Sequence, residues 1–284
     1  MKRFLLILLS AALIVASVFL LYVFVLKQPQ ADKPWREDLA RFPRATELSN
    51  GLVEMHDVRD YAYASSTIVE KSWRTLTVDP SKITRAWFLV EPFPGWGAVG
   101  HTYLTFDFSD GTALSFSIEA RLTEGQPYSA WKGLWNSYEL MYTWGTERDF
   151  LARRLLFLHH TVRMYPLAVS PETAQDLFMS LINATNTLAE HPRFYNTLTE
   201  NCTNTLAYIV NSTTEGALPW DLSWYLTGLS DRYLMKEGFI ATLGSIGKTQ
   251  DRYDLSPHVE VIESLSSAPA ETFTSALRAL IKAP

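Results

Sequence analysis

The sequence predicts an α+β domain behind an N-terminal membrane-spanning helix, and three observations carry that expectation. Lys2 and Arg3 are followed by an apolar run, Phe4 to Leu26, broken only by Ser10 and Ser17. The next part of the chain is rich in short β-branched and aromatic segments bounded by Gly, Pro, Asp or Asn. The second half carries helix starts followed by apolar residues at helical spacing. Strands first and helices afterwards indicate α+β and not alternating βα units. With 47% hydrophobic and 19% charged residues, the 284-residue chain is globular and not disordered. A net charge of −5 gives no electrostatic reason for nucleic acid as a partner.

Taken in order, the apolar run of about 23 residues spans roughly 35 Å as a helix, enough to cross a bilayer with some tilt. A cleavable signal peptide has a shorter apolar region of about 7–15 residues and a small-residue cleavage site. Residues 1–27 therefore read as an uncleaved signal anchor, with Lys2 and Arg3 on the cytoplasmic side. No later segment is long and apolar enough to span. Residues 28–49 are polar, carry Pro29, Pro34 and Pro43, and read as a linker into a domain over 50–284.

Strands are predicted over Leu52–Val58, Trp73–Val78, Arg85–Val90, His101–Phe108 and Thr112–Arg121. The last two form a hairpin through Ser109-Asp110-Gly111, with Gly in the left-handed conformation. In that register partner numbers sum to 220: Phe106 faces Leu114, Leu104 faces Phe116 and Tyr103 faces Ser117. The apolar faces match, which fixes the register, and His101 falls opposite Glu119. Thr146 as N-cap with Asp149 at N3 opens a helix through Met164. Ser170 followed by Pro171 opens a second that stops before His191-Pro192. A third begins at Thr199 and runs to about Asn211. Short helices wrapped on the core are expected from Trp220 to Pro284.

Cys202 is the only cysteine, so an intrachain disulfide and a CxxC metal or redox site are excluded. With Thr199 as N-cap it sits in the first helical turn, where a thiolate is stabilised. The alternative is an inert buried cysteine. Glu119 opposite His101 orients an imidazole, although Glu119 has Arg121 as an alternative partner. Ser117 and Asn201 are further groups able to orient the ring, and Tyr103 lies beside it on the same face. The remaining histidines show no metal-ligand spacing, and no metal or other cofactor is called for. Glu139, Glu147, Arg148 and Asp149 read as capping and salt-bridge residues. Phe93 and Trp96, just before His101, form either core packing or an apolar lip near a membrane surface, and Trp131 and Trp135 share that ambiguity.

An ordered series of motifs resembles the periplasmic domain of the Lnb-type lipoprotein N-acyltransferases. It comprises Val58-Arg59-Asp60-Tyr61, Gly100-His101-Thr102, Phe106-Asp107-Phe108-Ser109-Asp110-Gly111, Ser117-Ile118-Glu119-Ala120-Arg121, Tyr138-Glu139-Leu140-Met141-Tyr142, Glu147-Arg148-Asp149 and Phe194 to Thr203. The resemblance covers about Leu52 to Asn211. More distantly, a strand histidine preceding a helix-start Asn-Cys dipeptide resembles the permuted papain-like fold of the lecithin:retinol acyltransferase type, an antiparallel sheet followed by helices. These resemblances imply a bacterial inner-membrane location with the domain on the periplasmic side. They also imply a thioester on Cys202, phospholipid as acyl donor and a lipoprotein N-terminus as acceptor. Further membrane helices after the domain are also implied; the sequence to Pro284 contains none. Residue chemistry leaves two other readings: a peptidase or amidase on cell-wall peptide using the same triad, and a non-catalytic membrane-tethered binding module.

Overall fold

The computed structural model describes residues 1–30, 32–213 and 217–281. The apolar run is a helix, α1 (Lys2–Leu21), continued as a wider turn over Tyr22–Leu26. It projects from the domain with no buried residue before Val23. Over Lys2–Leu26 it is long and apolar enough to cross a membrane.

The domain is built on strands β1 (Arg44–Glu47), β2 (Val53–Arg59), β3 (Ala62–Ala64), β4 (Thr67–Glu70), β5 (Trp73–Val78), β6 (Ile83–Pro92), β7 (Gly100–Phe108), β8 (Ala113–Arg121), β9 (Tyr138–Thr146), β10 (Arg163–Pro166) and β11 (Phe194–Tyr195). The main sheet runs β1-β2-β9-β8-β7-β6-β10, with β5 added on β2 and β11 on β9. The β7–β8 register is the one the alternation demands: Tyr103 opposite Ser117, Leu104 opposite Phe116, Phe106 opposite Leu114. Gly111 has a positive φ of 89°, and Phe108 N–H bonds Thr112 O at 2.9 Å, closing the expected loop.

Helices follow: α2 (Ala130–Gly133), α3 (Glu147–Ala152), α4 (Pro171–Glu190), α5 (Cys202–Thr213), α6 (Ser230–Lys236), α7 (Ile246–Arg252), α8 (Val259–Leu265) and α9 (Ala270–Ile281). The pleat divides their packing. Leu104, Phe106 and Phe116 face Phe178, Leu181 and Ile182 of α4 and Leu206 of α5. Tyr103, Trp87 and Leu89 face Phe150 of α3, Ile262 of α8 and Phe273 and Leu277 of α9. The result is an α+β domain with helices on both faces of one sheet.

Four expectations are corrected. The sheet is mixed and not purely antiparallel, because β2 meets β9 in parallel at Arg59 and Gly145. β9 gave no strand signal: all its residues are buried, so neither face shows the polar half of an alternation. The helix expected over Phe150–Met164 ends near Phe157, where His159 takes a left-handed φ of 54°. The chain then turns into β10, whose Met164 and Tyr165 are both buried. The expected linker is part of the domain. Leu39 is buried in the core, β1 pairs with β2, and Arg36 N–H bonds Leu122 O at 2.9 Å. The segment is fastened to the sheet and is not a free tether.

Two of the quoted motifs are halves of one buried junction. Arg59 binds Asp149 through Nε and Nη2 at 2.8 and 2.9 Å, and Asp149 also accepts the Tyr61 N–H at 2.9 Å. Asp60 accepts from Arg148 and from Thr146 Oγ1, each at 2.7 Å. The Thr146 cap holds as expected, receiving Asp149 N–H at 3.3 Å.

Candidate functional site

The site lies where β7, β8 and the start of α5 converge. Gly100 permits this at the sheet: a Cβ there would stand 2.6 Å from the Glu91 carbonyl oxygen. Its backbone is clamped by Thr227, whose hydroxyl donates to Gly100 O at 2.6 Å and receives Gly100 N–H at 3.0 Å. The next residue, His101, is therefore held between the sheet and the C-terminal region.

At β8, Ser117 Oγ donates to Glu119 Oε1 at 2.7 Å. The same hydroxyl lies 2.7 Å from His101 Nε2, and Glu119 Oε1 is 3.3 Å from that nitrogen. With its proton directed to Glu119, Ser117 accepts from His101 Nε2–H, and Nδ1 remains for the thiol. The ring is backed by Tyr103, stacked at 6.0 Å and 21° between planes. Behind Tyr103 lies the Arg154 guanidinium, 4.2 Å from the ring centroid.

Cys202 is 5% exposed and opens α5. Its cap differs from the expected one. Asn196 Oδ1 takes the N–H groups of Leu198 and Thr199 at 2.9 and 3.2 Å, an Asx turn that keeps the chain out of the helix. Asn201 is the cap: its Oδ1 accepts the N–H groups of Thr203 and Asn204, each at 2.9 Å, and Asn204 Oδ1 accepts the Asn201 N–H at 2.8 Å. Cys202 is thus the first helical residue, two positions earlier than Thr199 capping implied. Asn201 Nδ2 donates to Thr197 O and Trp224 O, each at 3.0 Å, so its role is to anchor the helix start and not to orient the imidazole.

Electrostatics bind the three groups together. Burial alone would lower the His101 pKa, but the Glu119 carboxylate and the Cys202 thiol outweigh it and raise it to about 10. Burial alone would raise Glu119; His101, Arg154 and Arg153 hold it well below the usual carboxylate range. Burial likewise opposes ionisation of Cys202, yet its hydrogen bond and charge interaction with His101, with Thr102 assisting, bring the thiol below its ordinary value. The arrangement favours the thiolate of Cys202, the imidazolium of His101 and the carboxylate of Glu119 over their neutral forms.

Of the other residues expected here, Arg121 is not brought to Glu119. Its Nε and Nη2 donate to Leu39 O at 2.9 Å and Ala40 O at 2.7 Å, and its guanidinium lies 4.2 Å from the Trp35 ring centroid. It fastens the N-terminal segment to the sheet. Trp96 is 64% exposed, while Phe93 is half-buried against His160. Sequence reasoning missed Arg154, which is 2% exposed at its side chain and bridges Glu91 at 2.9 Å and Glu119 at 3.4 Å. It also missed Glu91, opposite His101 on β6 and bound to His160. Tyr128 and Tyr195, hydroxyls 3.0 Å apart, lie near enough to Cys202 that its charge contributes, after burial, to raising their pKa values. Among the described residues no cluster of His, Cys, Asp and Glu is placed to hold a metal ion.

The C-terminal region closes on this site. Gly228 N–H bonds Ala98 O at 3.0 Å, and a Cβ on Gly228 would stand 2.2 Å from Gly97 O. On the α4–α5 face a cavity of about 690 Å³ is walled by Phe88, Leu104, Leu177, Leu206, Val210 and Phe239, with Thr203 also lining it.

These features define an α+β domain carrying an apolar N-terminal helix and a Cys–His–Glu cluster at a helix start. A family model described as the Lnb N-terminal periplasmic domain matches residues 70–228, more than half of the chain, and the chain belongs to that family. No curated protein and no solved structure matches it. Among the described residues one helix, at the N-terminus, is long and apolar enough to cross a membrane, and with a periplasmic domain family this fits a membrane-associated protein.

Proposed function

We propose that the protein is a membrane-anchored, cysteine-dependent acyltransferase with a permuted papain-like arrangement of its site. The domain stands on the periplasmic side of the inner membrane in this reading. Its carrying observation is the mutual charge arrangement of Cys202, His101 and Glu119, with Ser117 between the last two. The Cys202 thiolate attacks an acyl carbonyl. The Cys202 N–H, which the Asn201 cap does not use, faces developing negative charge at the helix start. The His101 imidazolium gives its proton to the departing alkoxide, leaving a thioester on Sγ. An amine then attacks the thioester, His101 takes the amine proton, and the thiolate is restored with the acyl group on nitrogen. Glu119 stabilises the imidazolium throughout. Phospholipid as donor and a lipoprotein N-terminus as acceptor agree with the family resemblance and with the apolar helix. Peptide hydrolysis uses the same thiol, and the apolar cavity that begins at the neighbouring Thr203 favours lipid.

The test is intact mass of the full chain after incubation with phospholipid vesicles. A fatty-acyl increment that maps to Cys202 and is released by hydroxylamine is expected. No increment on the wild type, with rapid cleavage of a cell-wall peptide instead, would move the protein to the amidase reading.

A further inference from the structure

The cavity between α4 and α5 opens among the core side chains of that face of the sheet, Phe88, Leu104 and Leu206 among them, and its α5 wall begins at Thr203, the residue after the thiol. Thr203, Leu206, Ala207 and Val210 line it, a stripe at the i, i+3, i+4, i+7 spacing of one helix face. Cys202 precedes Thr203 in the chain and lies one turn before Leu206, next to that stripe and not in the cavity wall itself. The opposite wall is Leu177 and Met179 of α4, and the floor is Phe88 and Leu104 of the sheet. Its volume of about 690 Å³ is that of a small-molecule site, about 300–1,000 Å³, in an interior that otherwise packs closely.

No Lys, Arg or His lines it among the described residues, and its one carboxylate is Asp176. It offers no counter-charge to a phosphate or carboxylate, so the polar end of an occupant stays outside. An acyl carbonyl attacked by Cys202 must carry its substituent away from Sγ, and the α5 stripe gives that substituent an apolar path. We propose that this cavity holds one unbranched hydrocarbon chain, the chain joined to the acyl carbonyl that reacts at Cys202, and that its length selects the acyl donor. The proposal rests on the acyl-transfer reading for the carbonyl's position; occupancy of the cavity does not. Bond changes are those of thioester formation: Sγ–C forms, the ester C–O bond breaks, and the alkoxide takes the His101 proton.

Two measurements separate the claims. In the first, the full chain carrying Cys202→Ala, reconstituted in nanodiscs, is titrated with the fluorescent fatty acid cis-parinaric acid. Saturable binding with one site per chain is expected, weakened at least about tenfold by adding either Val210→Trp or Leu177→Trp, half-buried positions on facing walls. Equal binding in all three proteins overturns the cavity assignment, whatever Cys202 does. In the second, acylation of Cys202 by p-nitrophenyl esters of two to sixteen carbons is followed by intact mass. The ratio of long-chain to acetyl rates should exceed one in the wild type and fall at least about tenfold in Val210→Trp. A ratio unaffected by the substitution overturns chain selection; no acylation by any ester overturns the acyl-transfer reading and leaves the first measurement to judge the cavity. Sources are distinguished by competitors. Phospholipid vesicles should displace cis-parinaric acid and acylate Cys202 in the wild type. Displacement by a diacylglyceryl peptide alone would assign the cavity to the acceptor and overturn the donor assignment.

Discussion

Ser117 decides which way the imidazole faces. Its hydroxyl donates to Glu119 and accepts from His101 Nε2, so the ring presents Nδ1 to the thiol. A hydrogen bond involving a charged partner is worth about 1.5–3 kcal/mol. Ser117→Ala should therefore lower the rate of Cys202 alkylation by iodoacetamide at pH 6 by about 10–100-fold. An unchanged rate would show that Glu119 alone positions the ring. In the wild type the pH profile of that reaction should rise with a midpoint below 9, because His101 holds the thiol down. In His101→Ala the burial of the sulfur is opposed by Thr102 alone, and the midpoint should move up from the wild-type value. Glu119→Gln keeps the shape but not the charge, and a loss of about 10–10³ in rate is expected, less than a serine-protease triad shows for the same change. A profile identical to wild type would remove Glu119 from the site. His101 and Glu119 were legible in the sequence because strand alternation is rigid: one turn signal at Asp110-Gly111 fixes every pair above it. Arg154 was not legible. It lies in an apolar helical stretch where nothing local distinguishes it from a surface arginine, and only β6, β7 and β8 together give it two carboxylates.

The junction of β2 and α3 gathers Arg59, Asp60, Arg148 and Asp149 out of water. Removing one partner of such a pair leaves an uncompensated buried charge, which costs about 3–5 kcal/mol. Asp149→Ala should lose that amount in chemical denaturation, and Asp149→Asn less, since it still accepts the Tyr61 N–H. A loss below about 1 kcal/mol in Asp149→Ala would mean that water reaches Arg59. The segment before β1 depends on charge in the same way. Burial works against ionising Asp38, but Arg153, Arg36 and Arg59 outweigh it and push its pKa down to about 2. Because that folded value lies below the unfolded 3.8, the associated stability is complete above pH 3.8 and disappears as pH falls toward 2. It amounts to about 2 kcal/mol. Asp38→Asn should flatten the stability-versus-pH curve in that window; an unaltered slope would exclude Asp38 as its source. Sequence reading failed on this element for a physical reason. Prolines and charges mark a linker when solvated, and here Asp38, Lys33 and Arg36 are paired and Pro43 is buried.

For the molecule as a whole, the strands-then-helices order was legible, but the long-range closures were not. Helix starts at Thr146 and Ser170 and the β7–β8 hairpin are local signals, and all three appear where local chemistry puts them. The parallel contact of β2 with β9 joins residues far apart in sequence, and no local pattern encodes it. The role of the C-terminal region was open on sequence alone; Trp224 and Thr227 bind the caps and strand ends of the site, so it buttresses the site. Gly228→Ala tests this at a distance from the thiol. A methyl group 2.2 Å from Gly97 O must push two backbones apart. The variant should lose stability by more than about 1 kcal/mol and slow Cys202 alkylation through the displaced Gly100-His101 strand end. Loss of stability with normal alkylation would confine the contact to folding.

The exit of α1 from the domain has a mechanical consequence. Asn136 Nδ2 grips Val23 O at 2.9 Å, Lys27 reaches Asn136 O, Trp135 packs on Phe19 and Phe24, and Glu139 holds Gln30 and Lys33. These contacts brace the helix end against the domain. With the helix in a bilayer, a braced domain turns with the helix and offers the lipid the same side as long as those contacts hold. Encounters with anything carried in that lipid then become a matter of lateral travel and azimuth. Removing the grip itself, by Trp135→Ala with Asn136→Ala, would loosen the helix from the domain and dilute those encounters without touching a single reactive atom.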